Sequence, residues 1–352
     1  MLLFHEGQSF ALDEVVAEAV LASERGARAA INRIGASGAW PEVIARAQTW
    51  GIIPLLHSRS SDLDPALPQS EALLLRRIST EASEKNGFRV DRGIEALRAL
   101  HREGIRAAAI ADAGLMIAET DLPASLSCLA AAGFKGRGDG EREAGRGGAS
   151  DGEIDLHWDL GSSGMSVADL LNRAVPASFG GVPIRVVHPV DAFLLSAHHI
   201  VRNNLAAESS VRNLSDLQKL CAPICESGWP GELAQRAQQA SLTVAALAVA
   251  NVLEGYDPAD AVCRVASRLR KSATPGQQRA AVRLTRAFHY QLENGSLNRD
   301  LLDLVHPRPF RRIAAGLRRD SLGRRAMELV KSCGKPRALR VARDLARAKF
   351  ES

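Results

Sequence analysis

The chain has 352 residues, enough for about two domains with a real hydrophobic core, and its 46% hydrophobic and 24% charged content exclude a chain disordered throughout. The net charge is only +5, yet fourteen Lys and Arg against four acids from Pro307 onward put +10 there and leave −5 for everything before it. His5 and Glu6 stand where a secretory signal needs a basic start and an unbroken apolar run, and no transmembrane segment is apparent further on, so a cytoplasmic location is expected.

The first hundred residues carry helical patterns: "LDEVVAEAVLASERGARAAI", then "WPEVIARAQTWG" with Pro41 suited to a first turn, then a long run from Glu71 to His101. In that run Ile94, Leu97 and Leu100 recur at helical spacing, and Gly104 ends it. "IRAAAI" and "LMIA" predict short strands, followed by a helix over "DLPASLSCLAAAG". Lys135 to Gly152 is glycine-rich and charged with nothing to bury, which predicts a surface loop; its G-x-G lacks the leading strand and following helix of a phosphate loop. "EIDLHWDL", Glu153 to Leu160, predicts a strand, and "ASFGGVPIRVV" a hairpin turning at Gly180-Gly181. From Pro189 the pattern is helical to the end, punctuated by "SGWPGE", "GYDPAD", "SATPGQ" and "HPRP". This order predicts an α+β fold with a small mixed sheet between an N-terminal helical region, 1–103, and a helical domain, 189–306. The α/β core then covers 104–188 and a basic helical tail 307–352. The five cysteines, Cys128, Cys221, Cys225, Cys263 and Cys333, form no C-x-x-C pair and no zinc set, so they read as core thiols.

Alternation on "EIDLHWDL" puts Glu153, Asp155, His157 and Asp159 on one side of a strand and Ile154, Leu156, Trp158 and Leu160 on the other. The polar side either meets water or does chemistry. Asp155 and Asp159 beside His157 are expected to favour its protonated form. Together with "GGVPIRVVHPVDAFLLSAHHIVRN", "VRNLSDLQKL" and the upstream "WPEVIARAQTWGIIPLLH", the strand resembles the uncharacterised bacterial nucleotidyltransferase family of the DNA polymerase β-like superfamily, from about Trp40 to Tyr256. The resemblance implies a nucleotidyltransferase-type sheet and transfer of NMP from an NTP to an acceptor, here unknown, with Mg2+. In-line attack at phosphorus needs attacking and leaving oxygens neutralised, which two cations held by carboxylates achieve. By the same resemblance, two acids come from a D-x-D strand and the third from its neighbour, where Asp155 matches.

The D-x-D segment departs from the family pattern. Counting back from the shared "DLP", Asp112 takes the first metal position and Gly114 replaces the second acid. Counting forward from Gly104, Ala111 and Asp112 replace the Lys-Gly that meets the triphosphate, and the D-x-D is missing. The first register keeps an acid and the downstream helix in place and is preferred, with Asp112 and Asp155 as the catalytic and metal-binding candidates. In either, the phosphate-binding loop is lost. Asp121 reads as a helix N-cap. His199 matches the family His, and Arg212 and Asp216 match its Arg and Asp; this trio either contacts the nucleotide or forms an internal polar network holding the helical domain to the sheet. Three functions stay open: nucleotidyl transfer, an inactive nucleotidyltransferase fold that binds a nucleotide or partner, and a helical scaffold. The scaffold would engage an acidic protein or nucleic acid through 307–352, where Arg340, Arg343 and Arg347 share a helical face.

Overall fold

The computed structural model describes residues 6–62, 67–110, 114–137, 153–160, 163–179, 181–202 and 207–294. Asp112, Cys333, Gly180 and the basic tail therefore lie outside the described residues, as does most of the glycine-rich stretch. The described residues fall within one compact unit, 1–297.

Four helices open the chain: α1 (Glu6–Leu21), α2 (Glu24–Ser37), α3 (Trp40–Thr49) and α4 (Ile53–Asp62). The expected single helix over 12–31 is broken at Ser23, whose backbone N–H bonds Tyr256 O (3.2 Å) instead of continuing the helix. Pro41 sits in the first turn of α3, where its missing N–H costs no intrahelical bond. The long helix α5 (Gln69–Arg102) buries Ile94, Leu97 and Leu100 in its C-terminal half. It ends at Gly104, whose φ of 74° lets the chain reverse while the Ile105 N–H reaches back to Leu100 O (3.0 Å).

A six-stranded mixed sheet follows: β1 (Ala107–Ala109), β2 (Leu115–Ile117), β3 (Lys135–Arg137), β4 (Glu153–His157), β5 (Val175–Phe179) and β6 (Val182–Val186), in the order β3-β4-β2-β1-β6-β5. β1 and β2 form an antiparallel hairpin, closed where the Ile110 N–H bonds Gly114 O (2.9 Å). β4 runs parallel to both β2 and β3, β6 runs parallel to β1, and β5 and β6 make the expected two-residue hairpin, with Phe179 opposite Val182. The α+β expectation holds. Two local readings do not: β3 lies at the start of the stretch read as a loop, and the strand read as 153–160 stops at His157.

Between these strands lie α6 (Leu122–Ala131) and α7 (Val167–Arg173). One face of the sheet, formed by Ala107, Leu115, Ile117, Ile154 and Leu156, packs on Leu97 and Leu100 of α5 and Leu129 of α6. The other, with Ala108 and Met116, packs on Val167, Leu170 and Leu171 of α7. Trp158 stays with the first cluster, but Leu160 joins the second, because alternation lapses once the strand ends.

The remaining helices are α8 (Pro189–Arg202), α9 (Ala207–Glu226), α10 (Pro230–Gln239), α11 (Thr243–Tyr256), α12 (Asp260–Ser272) and α13 (Pro275–Asn294). α11 is apolar nearly all round and is packed by α8, α12 and α13, as a helix without a polar face must be. Burial pushes the Cys221 thiol up to about 12 and raises Cys225 as well, in keeping with core thiols. Among the described residues no helix is long and apolar enough to cross a membrane.

Candidate functional site

Leu115 pairs with Leu156 and Met116 with His157, so one step back along the parallel pair Gly114 stands beside Asp155. Ile154 and Leu156 are buried on the α5 and α6 side, which turns Asp155 and His157 to the opposite face. Asp155 is exposed there and has no ion-pair partner among the described residues. A Cβ built on Gly114 would stand 2.7 Å from His157 Nε2 and 2.9 Å from Ile110 Cγ2. The imidazole thus fills the space into which a side chain at 114 would project.

This packing reverses the expectation for His157. Desolvation under the hairpin outweighs the charge of Asp155 and lowers the imidazole below its ordinary 6.5, favouring the neutral form. Asp159 lies beyond the strand end, and β2 is next to β4, where the strand carrying the paired acids belongs. The described residues do not fit a two-metal centre. At the second acid position stands a glycine with no room for a Cβ, and among the described residues no group of three His, Cys, Asp or Glu is placed to hold a metal ion.

His199 lies exposed near the end of α8, and His198 beside it is half-buried. Arg212 is half-buried on α9, whereas Asp216 is exposed and pairs with Lys219 (3.1 Å). α9 packs mainly on α8, α12 and α1, while the principal helix neighbours of the strands are α5, α6 and α7. Asp121 occupies the N-cap position of α6 without a capping side-chain bond; its carbonyl accepts from Ser125 Oγ instead (2.7 Å).

A polar network does join the sheet region to the helical array, through residues that the sequence reading passed over. Asp191, in the first turn of α8, is 0% exposed. Arg173 Nε donates to its Oδ2 (2.8 Å), and Arg236 donates from Nε and Nη2 to its Oδ1 (3.1 and 3.0 Å). Arg173 also bonds Glu232, and Arg236 pairs with Asp169 (2.7 Å). One buried carboxylate thus pins the end of α7 and the middle of α10 to α8. Burial alone would lower the Arg173 guanidinium, but its bonds to Asp191 and Glu232 more than reverse this and hold it above its ordinary value. The only sequence signal was an acid, Asp191, one turn before Leu194 in an apolar helical stripe.

Next to this network His188 stacks on Trp229, with ring centroids 4.3 Å apart. Its Nδ1 faces two donors, the Val190 N–H (3.3 Å) and Arg173 Nη2 (3.5 Å), which assigns the ring proton to Nε2. Burial first, and then the charge of Arg173, lowers His188 below 6.5, against the opposing pull of Glu232 and Asp191. The unfolded chain takes up that proton near pH 6.5, whereas the folded chain resists it. The stability His188 contributes is therefore fully present above about pH 6.5 and is lost as pH falls through its lower folded value. His188→Gln is expected to flatten the fall in urea midpoint between pH 7.5 and 5; a variant as pH-sensitive as wild type would contradict this assignment.

Residues 36–254 match the model of a family described as "Uncharacterised nucleotidyltransferase", a span that takes in the whole sheet and reaches α11. The chain belongs to that family. No curated protein and no solved structure matches it. Within this nucleotidyltransferase-family chain the β1–β2 hairpin lies between the end of α5 and the start of α6.

Proposed function

We propose that this nucleotidyltransferase-family protein acts as a nucleotide- or partner-binding module on the family fold, without two-metal nucleotidyl transfer. The observation that carries this reading is Gly114 beside Asp155, with the His157 ring in the space a second carboxylate would need. In-line transfer requires charge stabilisation on both sides of the phosphorus, and the one carboxylate that the described residues place there, beside a neutral imidazole, supplies too little of it. In either register of this segment no Lys-Gly turn is found to cradle the triphosphate.

A second reading keeps transfer, with Asp112 and Asp155 as the Mg2+ ligands, an NTP as donor and an unknown acceptor. The exposure of Asp155 on the sheet favours it. Melting of the purified protein with each NTP, in Mg2+ and in EDTA, separates the two. The binding reading expects any rise in melting temperature to be the same in both buffers, with no pyrophosphate released. A rise that needs Mg2+ and disappears in Asp155→Ala would overturn it in favour of transfer. A helical scaffold acting through 307–352 rests on the charge of that tail alone.

A further inference from the structure

At the end of the sheet away from the β1–β2 turn, the C-terminus of α5, the start of β1, the last turn of α7 and β6 enclose an open cleft of about 510 Å3. The buried Ile105, Ala107 and Leu171 supply its apolar lining. Its rim carries His101, Arg106 and Arg185, and among the described residues no carboxylate lines it.

The polar side chains there meet neutral partners. Arg106 Nη1 donates to Asn172 Oδ1 (3.1 Å), Arg185 Nη2 donates to Ala174 O, and His101 Nε2 lies 3.2 Å from Ala107 O. Each guanidinium has five N–H donors, so most of its capacity is left over. Elsewhere on this surface arginines meet acids, as Arg92 meets Glu95 and Arg270 meets Glu254. Arg185 also covers the carbonyl just past the end of α7, which offsets the negative end of that helix dipole within the cleft.

We propose that this cleft is an anion site taking the phosphate group of a small phosphomonoester. Arg106 and Arg185 grip the phosphate, and the apolar lining receives the organic part. Paired arginine forks suit the geometry of phosphate oxygens, and an apolar base with a few convergent polar groups is the usual build of a small-molecule site. Arg106 precedes β1 and the hairpin turn follows it, so the cleft is about 10 Å, one short strand, from the Asp155 end. The proposal stands independently of the nucleotidyl site.

The test uses the full chain in EDTA at constant ionic strength, with inorganic phosphate and phenyl phosphate as probes and melting as the readout. Wild type is expected to show a saturable rise with both, half-maximal at lower concentration for phenyl phosphate. Arg106→Gln and Arg185→Gln, both at exposed positions and checked for unchanged circular dichroism, should each weaken binding by about tenfold, as loss of a charge-assisted hydrogen bond does. A non-saturating rise shared by wild type and the double variant would mean that salt acts on the whole surface, and would overturn the site. Phenyl phosphate binding no tighter than inorganic phosphate would overturn the role given to the apolar lining.

Discussion

Replacing Asp191 with alanine is expected to lower folding stability by about 3 kcal/mol or more, seen as a lower urea midpoint. Removing one member of a buried ion cluster leaves the others as uncompensated charges, and measured losses of this kind run to roughly 3–5 kcal/mol. Here the loss takes the shared carboxylate from two guanidiniums at once, Arg173 and Arg236, with side chains only 27% and 18% exposed, and leaves them only the outer acids Glu232 and Asp169. The outer acids of the same network set the comparison. Asp169 is 46% exposed and touches only Arg236 in this cluster, so Asp169→Ala should cost about 1 kcal/mol or less. Similar losses for the two variants would show that the network is a surface arrangement and that Asp191 is not its anchor.

Gly114→Asp, which writes the missing acid back into the β2 register, is expected to destabilise the fold by about 2 kcal/mol and to restore no nucleotidyl transfer. The new Cβ would lie closer to the His157 ring and to Ile110 than real contacts allow, and overpacking of this kind costs roughly 1–3 kcal/mol. The strain has a named source, so it has a named relief. In the double variant Gly114→Asp/His157→Ala the ring is gone, and the combined loss should be smaller than the sum of the single losses by about 1 kcal/mol, a coupling within reach of a double-mutant cycle. Strict additivity would mean that the ring does not occupy this space.

Much of the fold was legible because the patterns are long or strictly periodic. The stripe Ile94, Leu97 and Leu100 marked the buried half of α5, the turn at Gly180-Gly181 marked the β5–β6 hairpin, and the alternation of Ile154, Asp155 and Leu156 marked which side of β4 is core. What escaped was decided by distant partners. Ser23 has no breaker beside it, yet its N–H bonds Tyr256, far along the chain. Lys135 to Arg137 has no strand-forming side chains, and β3 exists through backbone pairing with β4. In the site, Asp155 and the glycine at 114 were visible in the residues. The burial of His157 was not, because only the pairing of β2 with β4 brings its ring over the glycine. The polar network expected of His199, Arg212 and Asp216 has a counterpart built on Asp191, whose partners come from α7 and α10, too far away in sequence for spacing to reveal.

The tight β1–β2 hairpin also bears on the order in which the molecule folds. Its two strands are the central pair of the sheet, and only residues 110–114 join them, so their pairing closes a small loop at little entropic cost. β4 and β6, which flank them, come from much later in the chain and pair in parallel, the slower kind of contact to form. By this ordering the hairpin is the local pairing that can form first, with the end of α5 docking on it before the outer strands arrive.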